Sequence, residues 1–140
     1  MNGYNTNLAS EFHVLSVLHR LGGEACLTLG NKKGVDIFLI RDTGPSVMVE
    51  VKGVAGKFDW PADNIVLQEG RLHFVVLVAY EGKIHDPSTV PSVWVVPGED
   101  IGRFIKQYKG RRVVSRAKLL KDGVVFEDGW QNLLKQERGR

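Results

Sequence analysis

Three ionisable side chains, Asp36, Glu50 and Lys52, interrupt two otherwise apolar runs, Val35 to Ile40 and Val47 to Val51. Asp42, Thr43, Gly44, Pro45 and Ser46 lie between the runs and favour a turn, so the pair reads as a β-hairpin. A hairpin brings the start of its first strand to the end of its second, which gathers Asp36, Glu50 and Lys52 at one end of an apolar sheet. Strand side chains alternate faces, so Glu50 and Lys52 share one face while Val49 and Val51 take the other. Carboxylates at such an edge are expensive to bury alone and are therefore paired or metal-bound. A salt bridge from Lys52 to Glu50 or Asp36 compensates one acid. The second leaves surplus negative charge, which a divalent cation would offset. Hard oxygen ligands suit Mg²⁺ or Mn²⁺, ions that keep several waters and bridge to substrate phosphates.

An acid and a lysine separated by one residue is a weak pattern, and the chain holds a second example, Glu81-Gly82-Lys83, in a polar turn. Glu50-Val51-Lys52 differs because it ends a strand and has Asp36 opposite it. A solvated or purely structural ion pair is the competing reading of the same residues.

The elements that must position these groups follow from periodicity. Leu8, Phe12, Leu15, Leu18 and Leu21 recur at helical spacing and predict an amphipathic helix from Asn5 to Leu21, capped by Asn5, Thr6 or Asn7 and stopped by Gly22-Gly23. Glu11 borders that stripe and can look into a site beside the sheet. Glu24 to Leu29 is a short strand, and residues 30–34 form a turn in which Lys32 and Lys33 are either solvated or contacts to an entering phosphate. Val54 to Asn64 is irregular, and Ile65 to Gln68 is a helical turn or a strand. Phe74 to Tyr80 is an unbroken apolar run, expected of a strand covered on both faces in an α/β sheet. A polar connection, Glu81 to Pro91, leads to a strand at Ser92 to Val96, which serves as core or as interface. Pro97-Gly98-Glu99-Asp100 opens a predicted helix with the stripe Ile101, Phe104, Ile105 and Tyr108. Ser115 caps a short turn through Leu120, and Asp128 caps a last helix running to Gln136.

The chain of 140 residues, 43% hydrophobic and 25% charged, reads as a single domain spanning 1–140. Without a basic, apolar leader or a membrane-spanning run, the expectation is a cytoplasmic protein that does not engage membranes. One cysteine, Cys26, excludes an internal disulfide, and the four histidines stand in unrelated contexts with no zinc spacing. Net charge is only +3, but eight bases and no acid lie between Ile101 and Lys121. Arg103, Lys106, Lys109, Arg111, Arg112, Arg116 and Lys118 from this block, with Lys32 and Lys33, are the candidate nucleic-acid contacts; a solvated helical face is the plain alternative.

With Glu11, Asp36, Glu50 and Lys52 on a helix, strand, hairpin order, the chain resembles the PD-(D/E)XK nuclease superfamily of restriction endonucleases and Holliday-junction resolvases. The resemblance runs through Tyr80 and departs at Val35, where the motif's name has proline. It implies a restriction-endonuclease-like αβββαβ core, a mixed central sheet flanked by helices within the α/β class. It also implies that Asp36, Glu50 and the Val51 main-chain carbonyl hold Mg²⁺ or Mn²⁺, that Lys52 orients water, and that Glu11 completes the site. The expected activity is metal-dependent endonucleolytic hydrolysis of nucleic acid, DNA first. Two alternatives stand beside it: a non-catalytic nucleic-acid or protein-interaction module retaining the fold, and a nuclease subunit that needs a partner or a homodimer to recognise its target.

Overall fold

The computed structural model describes residues 3–28, 35–41, 44–66 and 72–135. The chain opens with α1 (Gly3–Arg20), followed by β1 (Glu24–Leu27), β2 (Ile37–Ile40), β3 (Val47–Val54), the short β4 (Trp60–Pro61), β5 (His73–Ala79) and β6 (Ser92–Pro97). A single 3₁₀ turn at Ile101–Phe104 leads into β7 (Ile105–Tyr108) and β8 (Arg111–Val114), then α2 (Arg116–Asp122), a second 3₁₀ turn at Val124–Phe126 and α3 (Trp130–Leu134). The architecture is α/β. Its mixed five-stranded sheet has the order β1-β2-β3-β5-β6, and β3 and β5 are its parallel neighbours. Among the described residues, the connection between β3 and β5 contains β4 and no helix.

The sheet separates two cores. On one face Val47, Val49 and Val51 of β3 and Val76 and Val78 of β5 pack with Val14 and Leu18 of α1 and Leu133 of α3. On the other, Val75, Leu77, Trp94 and Val96 pack with Trp60, Phe104, Val114 and Leu119. This second layer is a three-stranded sheet, β4-β8-β7, with α2, so helices cover one face and a small sheet most of the other. The Trp60 indole N–H donates to the Val78 carbonyl at 3.0 Å and its ring meets Trp94 edge-on at 5.7 Å, tying the two sheets together. All seven residues of β5 are buried, which is why that strand reads as one unbroken apolar run. Edge strand β6 is core and is shielded: the Asp128 N–H donates to the Val93 carbonyl, and Trp94 bridges to Glu127.

Four local expectations are corrected. The helix predicted after Pro97 is only the turn Ile101–Phe104, and Ile105 to Tyr108 pairs antiparallel with Arg111–Val114 as a hairpin. Its β-branched residues Ile105, Val113 and Val114 favour a pleated surface, and Gly110 adopts φ +82° to close the turn. Helix α1 begins at Gly3, which puts Asn5, Thr6 and Asn7 inside it. Its buried residues are Thr6, Ser10, Val14 and Leu18, whereas Phe12 and Leu21 are exposed. Close approach to the sheet selects this small-residue stripe: a Cβ at Gly53 of β3 would collide with Ser10 Oγ. Asp128 lies before α3 at φ +51°, and Gly129 occupies the N-cap without a side-chain hydrogen bond. Ser115, by contrast, caps α2 as expected, its hydroxyl accepting from the Lys118 N–H at 3.2 Å. Ile65 and Val66 belong to no regular element; 67–71, the turn residues Asp42 and Thr43, and Lys32 and Lys33 lie outside the described residues. No helix among the described residues is long and apolar enough to cross a membrane.

Candidate active site at the β2–β3 edge

The register Ile37↔Val49, Phe38↔Met48 and Leu39↔Val47 sets the hairpin. At its open end the Asp36 N–H donates to the Val49 carbonyl at 2.8 Å, and the Asp36 carbonyl accepts the Thr28 N–H at 2.9 Å from the β1 side. The Asp36 carboxylate then accepts the Val51 N–H through Oδ2 at 2.7 Å. A side chain has thus taken over the ladder where the strand stops. A residue's N–H and C=O project to the same side of a strand, so the Val51 carbonyl is directed toward Asp36 as well.

Glu50 and Lys52 lie on the face opposite α1, above Val75 and Leu77 of the parallel neighbour. Glu50 is 2% exposed. Lys52 Nζ stands 3.1 Å from its Oε2, while Oε1 is buried without a hydrogen-bond partner among the described residues. The His73 ring nitrogen Nε2 stands 3.8 Å from Oε1, beyond hydrogen-bond reach. Glu11 reaches the same electrostatic neighbourhood from α1, one residue past buried Ser10.

All three carboxyls titrate above their ordinary range. Burial raises Glu50 and neighbouring Asp36 adds to it, while Lys52 and the Val66 backbone N–H oppose. Burial likewise raises Asp36 against the pull of the Val51 N–H and Lys52. Glu11 is pushed up to about 7 by burial and by Asp36, with Lys52 opposing. Among the described residues these three acids share one lysine, and burial, the largest cause for each, outweighs what that lysine contributes.

A divalent cation at this set would have few protein ligands. Among the described residues no three His, Cys, Asp or Glu side chains converge as a metal-holding group. The donors on hand are therefore two carboxylates, one with its Oε1 unpartnered, and one main-chain carbonyl, all hard oxygens. An ion that retains several waters suits so sparse a set, which describes Mg²⁺.

Sequence reasoning assigned His73 to an unrelated context, yet it is buried beside Glu50. Its place at the head of β5 gave no signal, because a parallel register between distant strands leaves no local pattern. Glu81 confirms the contrast drawn from its spacing. It sits in a turn at φ +58° and pairs with Arg116 at 2.8 Å and Ser92 at 2.9 Å, not with Lys83.

The basic block divides accordingly. Arg116 is held in that partly buried pair, and Arg112 donates to the Ala62 carbonyl at 3.2 Å. Arg103 lies 3.4 Å from Asp100, with its guanidinium over the Phe104 ring. Lys106, Lys109 and Arg111 are exposed on the β7–β8 hairpin, where Lys106 and Arg111 flank the Tyr108 ring, and Lys118 is exposed on α2. No family model matches this chain, and no curated protein sequence matches it either.

Proposed function

We propose that this protein is a metal-dependent nuclease of the PD-(D/E)XK type that hydrolyses phosphodiester bonds, most readily in DNA. One observation carries the reading: a buried glutamate stands beside Asp36 and a single lysine, and among the described residues its Oε1 has no hydrogen-bond partner. Buried charge that one lysine and two main-chain N–H groups only partly offset is costly to maintain, and a bound divalent cation would offset the rest. The restriction-endonuclease-like core is part of this proposal, supported by the order of α1, the β1–β2–β3 meander and the parallel β5. Asp36, Glu50 and the Val51 carbonyl would hold Mg²⁺ or Mn²⁺, which when bound supplies Lewis-acid polarisation of the phosphoryl group and acidifies water. Lys52 Nζ, already anchored on Glu50, is available to orient a water or to donate to a phosphoryl oxygen as charge develops there. Glu11 adds a third carboxylate at the rim. Lys106, Lys109, Arg111 and Lys118 offer exposed cations for the backbone of the polymer.

Purified protein incubated with supercoiled, linear, single-stranded and branched DNA, with Mg²⁺ or Mn²⁺, tests the assignment beside Glu50→Ala and Lys52→Ala. The wild type is expected to cut and both variants to lose cutting by at least about a hundredfold. Equal cleavage in all three would trace the activity to a contaminant. Binding by the folded wild type without cleavage under any condition would favour the non-catalytic module.

A further inference from the structure

Lys52 borders a second space besides the acid cluster. A pocket of about 400 Å³ opens between the first turns of α1 and the loop joining β3 to β4. Its inner wall includes the Gly53 backbone, pressed so closely on Ser10 and Thr6 of α1 that no side chain fits at Gly53. Phe58 stands at the lining and is 66% exposed. That ring is backed by backbone. A Cβ added at Gly56 would stand 2.5 Å from Phe58 Cε2 and 3.0 Å from Cδ2 and Cζ, so the ring rests on Gly56 and leaves its remaining surface open. The other lining side chains are mostly uncharged, Asn7 and Asn64 among them. Asp63, the one acid among the described lining residues, already accepts the Arg112 main-chain N–H through Oδ1 at 2.8 Å.

A supported, exposed aromatic ring is what a planar, uncharged ligand stacks on, and a mostly neutral lining does not select a phosphate. The volume lies near the lower end of the range for ligand pockets, about 300–1,000 Å³, which suits one base and excludes a duplex. Among the described lining residues the one lysine is Lys52, the residue shared with the acid cluster. We propose that this pocket receives one unstacked nucleobase of a single-stranded or locally opened nucleic acid, stacked on Phe58, next to the phosphate that Lys52 contacts. The identity of the polymer rests on the nuclease reading, while the stacking site rests on the pocket itself.

The test compares two labelled probes by fluorescence anisotropy in EDTA, where nothing is cut: a short oligothymidylate and an abasic phosphodiester backbone of equal length. The wild type is expected to prefer the oligothymidylate about tenfold, as one stacked base warrants. Phe58→Ala is expected to abolish that preference without weakening the abasic probe, and Phe58→Trp to restore it. Since Phe58 is exposed, neither change threatens the fold. Absence of a base preference in the wild type, or its survival in Phe58→Ala, overturns the pocket. If base-dependent binding is found but no DNA is cut with Mg²⁺, the nuclease reading falls and the pocket stands. If DNA is cut without base preference, only the pocket falls, and if neither probe binds and nothing is cut, both fall.

Discussion

Replacing Lys52 by methionine keeps the aliphatic stem and deletes the cation 3.1 Å from Glu50 Oε2. The two side chains are unequally exposed, 23% for Lys52 and 3% for Glu50, so each single removal strands a different partner. Without Lys52, a desolvated Glu50 faces Asp36 with the Val66 N–H as its remaining stabilising partner among the described residues. Stranding a buried charge costs about 3–5 kcal/mol, and the partial exposure of this pair moderates that to about 2–4 kcal/mol at pH 8. At this chain length the loss amounts to a fall in Tm of about 5–15 °C. Glu50→Gln strands a lysine that can turn to water, and its expected cost is under about 1 kcal/mol. The double variant should recover most of what Lys52→Met loses. Urea unfolding in EDTA measures all four proteins. Burial already holds the Glu50 carboxyl above its ordinary value, so its penalty is full above its folded pKa and is relieved as pH falls through it. Losing Lys52 raises that pKa further, and the Lys52→Met deficit should therefore shrink on acidification. Equal losses for the two single variants, a double variant no better than Lys52→Met, or a deficit independent of pH would refute the charge-imbalance reasoning.

Glu11 supplies a second pH signature: pushed up to about 7 from 4.5, it destabilises the metal-free fold above about pH 7 and ceases to do so below 4.5. The urea midpoint should rise between pH 8 and pH 5, and Glu11→Gln should flatten that rise; an unchanged slope in the variant would contradict it. Gly53→Ala drives a Cβ into Ser10 Oγ and should cost about 1–3 kcal/mol by thermal unfolding, with Ser10→Gly restoring much of the loss. Arg116→Ala breaks the partly buried pair with Glu81 and should cost about 1–2 kcal/mol. Lys109→Ala on the exposed hairpin turn should leave stability unchanged and reduce the salt slope of DNA binding by about 1 if that lysine meets a phosphate. Identical stability losses for Arg116→Ala and Lys109→Ala would dissolve the distinction between structural and surface-exposed bases.

The acid cluster was legible because its logic is local. A period-two pattern broken by charges, flanking a turn, puts Asp36 opposite the strand end that carries Glu50 and Lys52 without any knowledge of the rest of the chain, and there its carboxylate accepts the Val51 N–H. The basic block was misread as helix because Ile101, Phe104, Ile105 and Tyr108 satisfy helical spacing, whereas Ile105, Val113 and Val114 are claimed by the hairpin that closes the second core. In α1 the leucines suggested one buried face, yet close contact with Gly53 selected the small residues Thr6 and Ser10 instead. Hydrophobicity marks which residues can be buried; helix-to-sheet distance decides which ones are.

The sequence by itself determined the hairpin and the meeting of Asp36, Glu50 and Lys52, since each depends on residues within one supersecondary unit, and helix and strand periods along the chain gave the α/β class. Tertiary structure alone decided that His73 stands beside Glu50, that Arg116 turns to Glu81, and that Lys52 faces both an acid cluster and a pocket. Those juxtapositions depend on the parallel pairing of β3 with β5 and on the packing of a second sheet over the first. Both join segments far apart in the chain, and no local periodicity encodes their register.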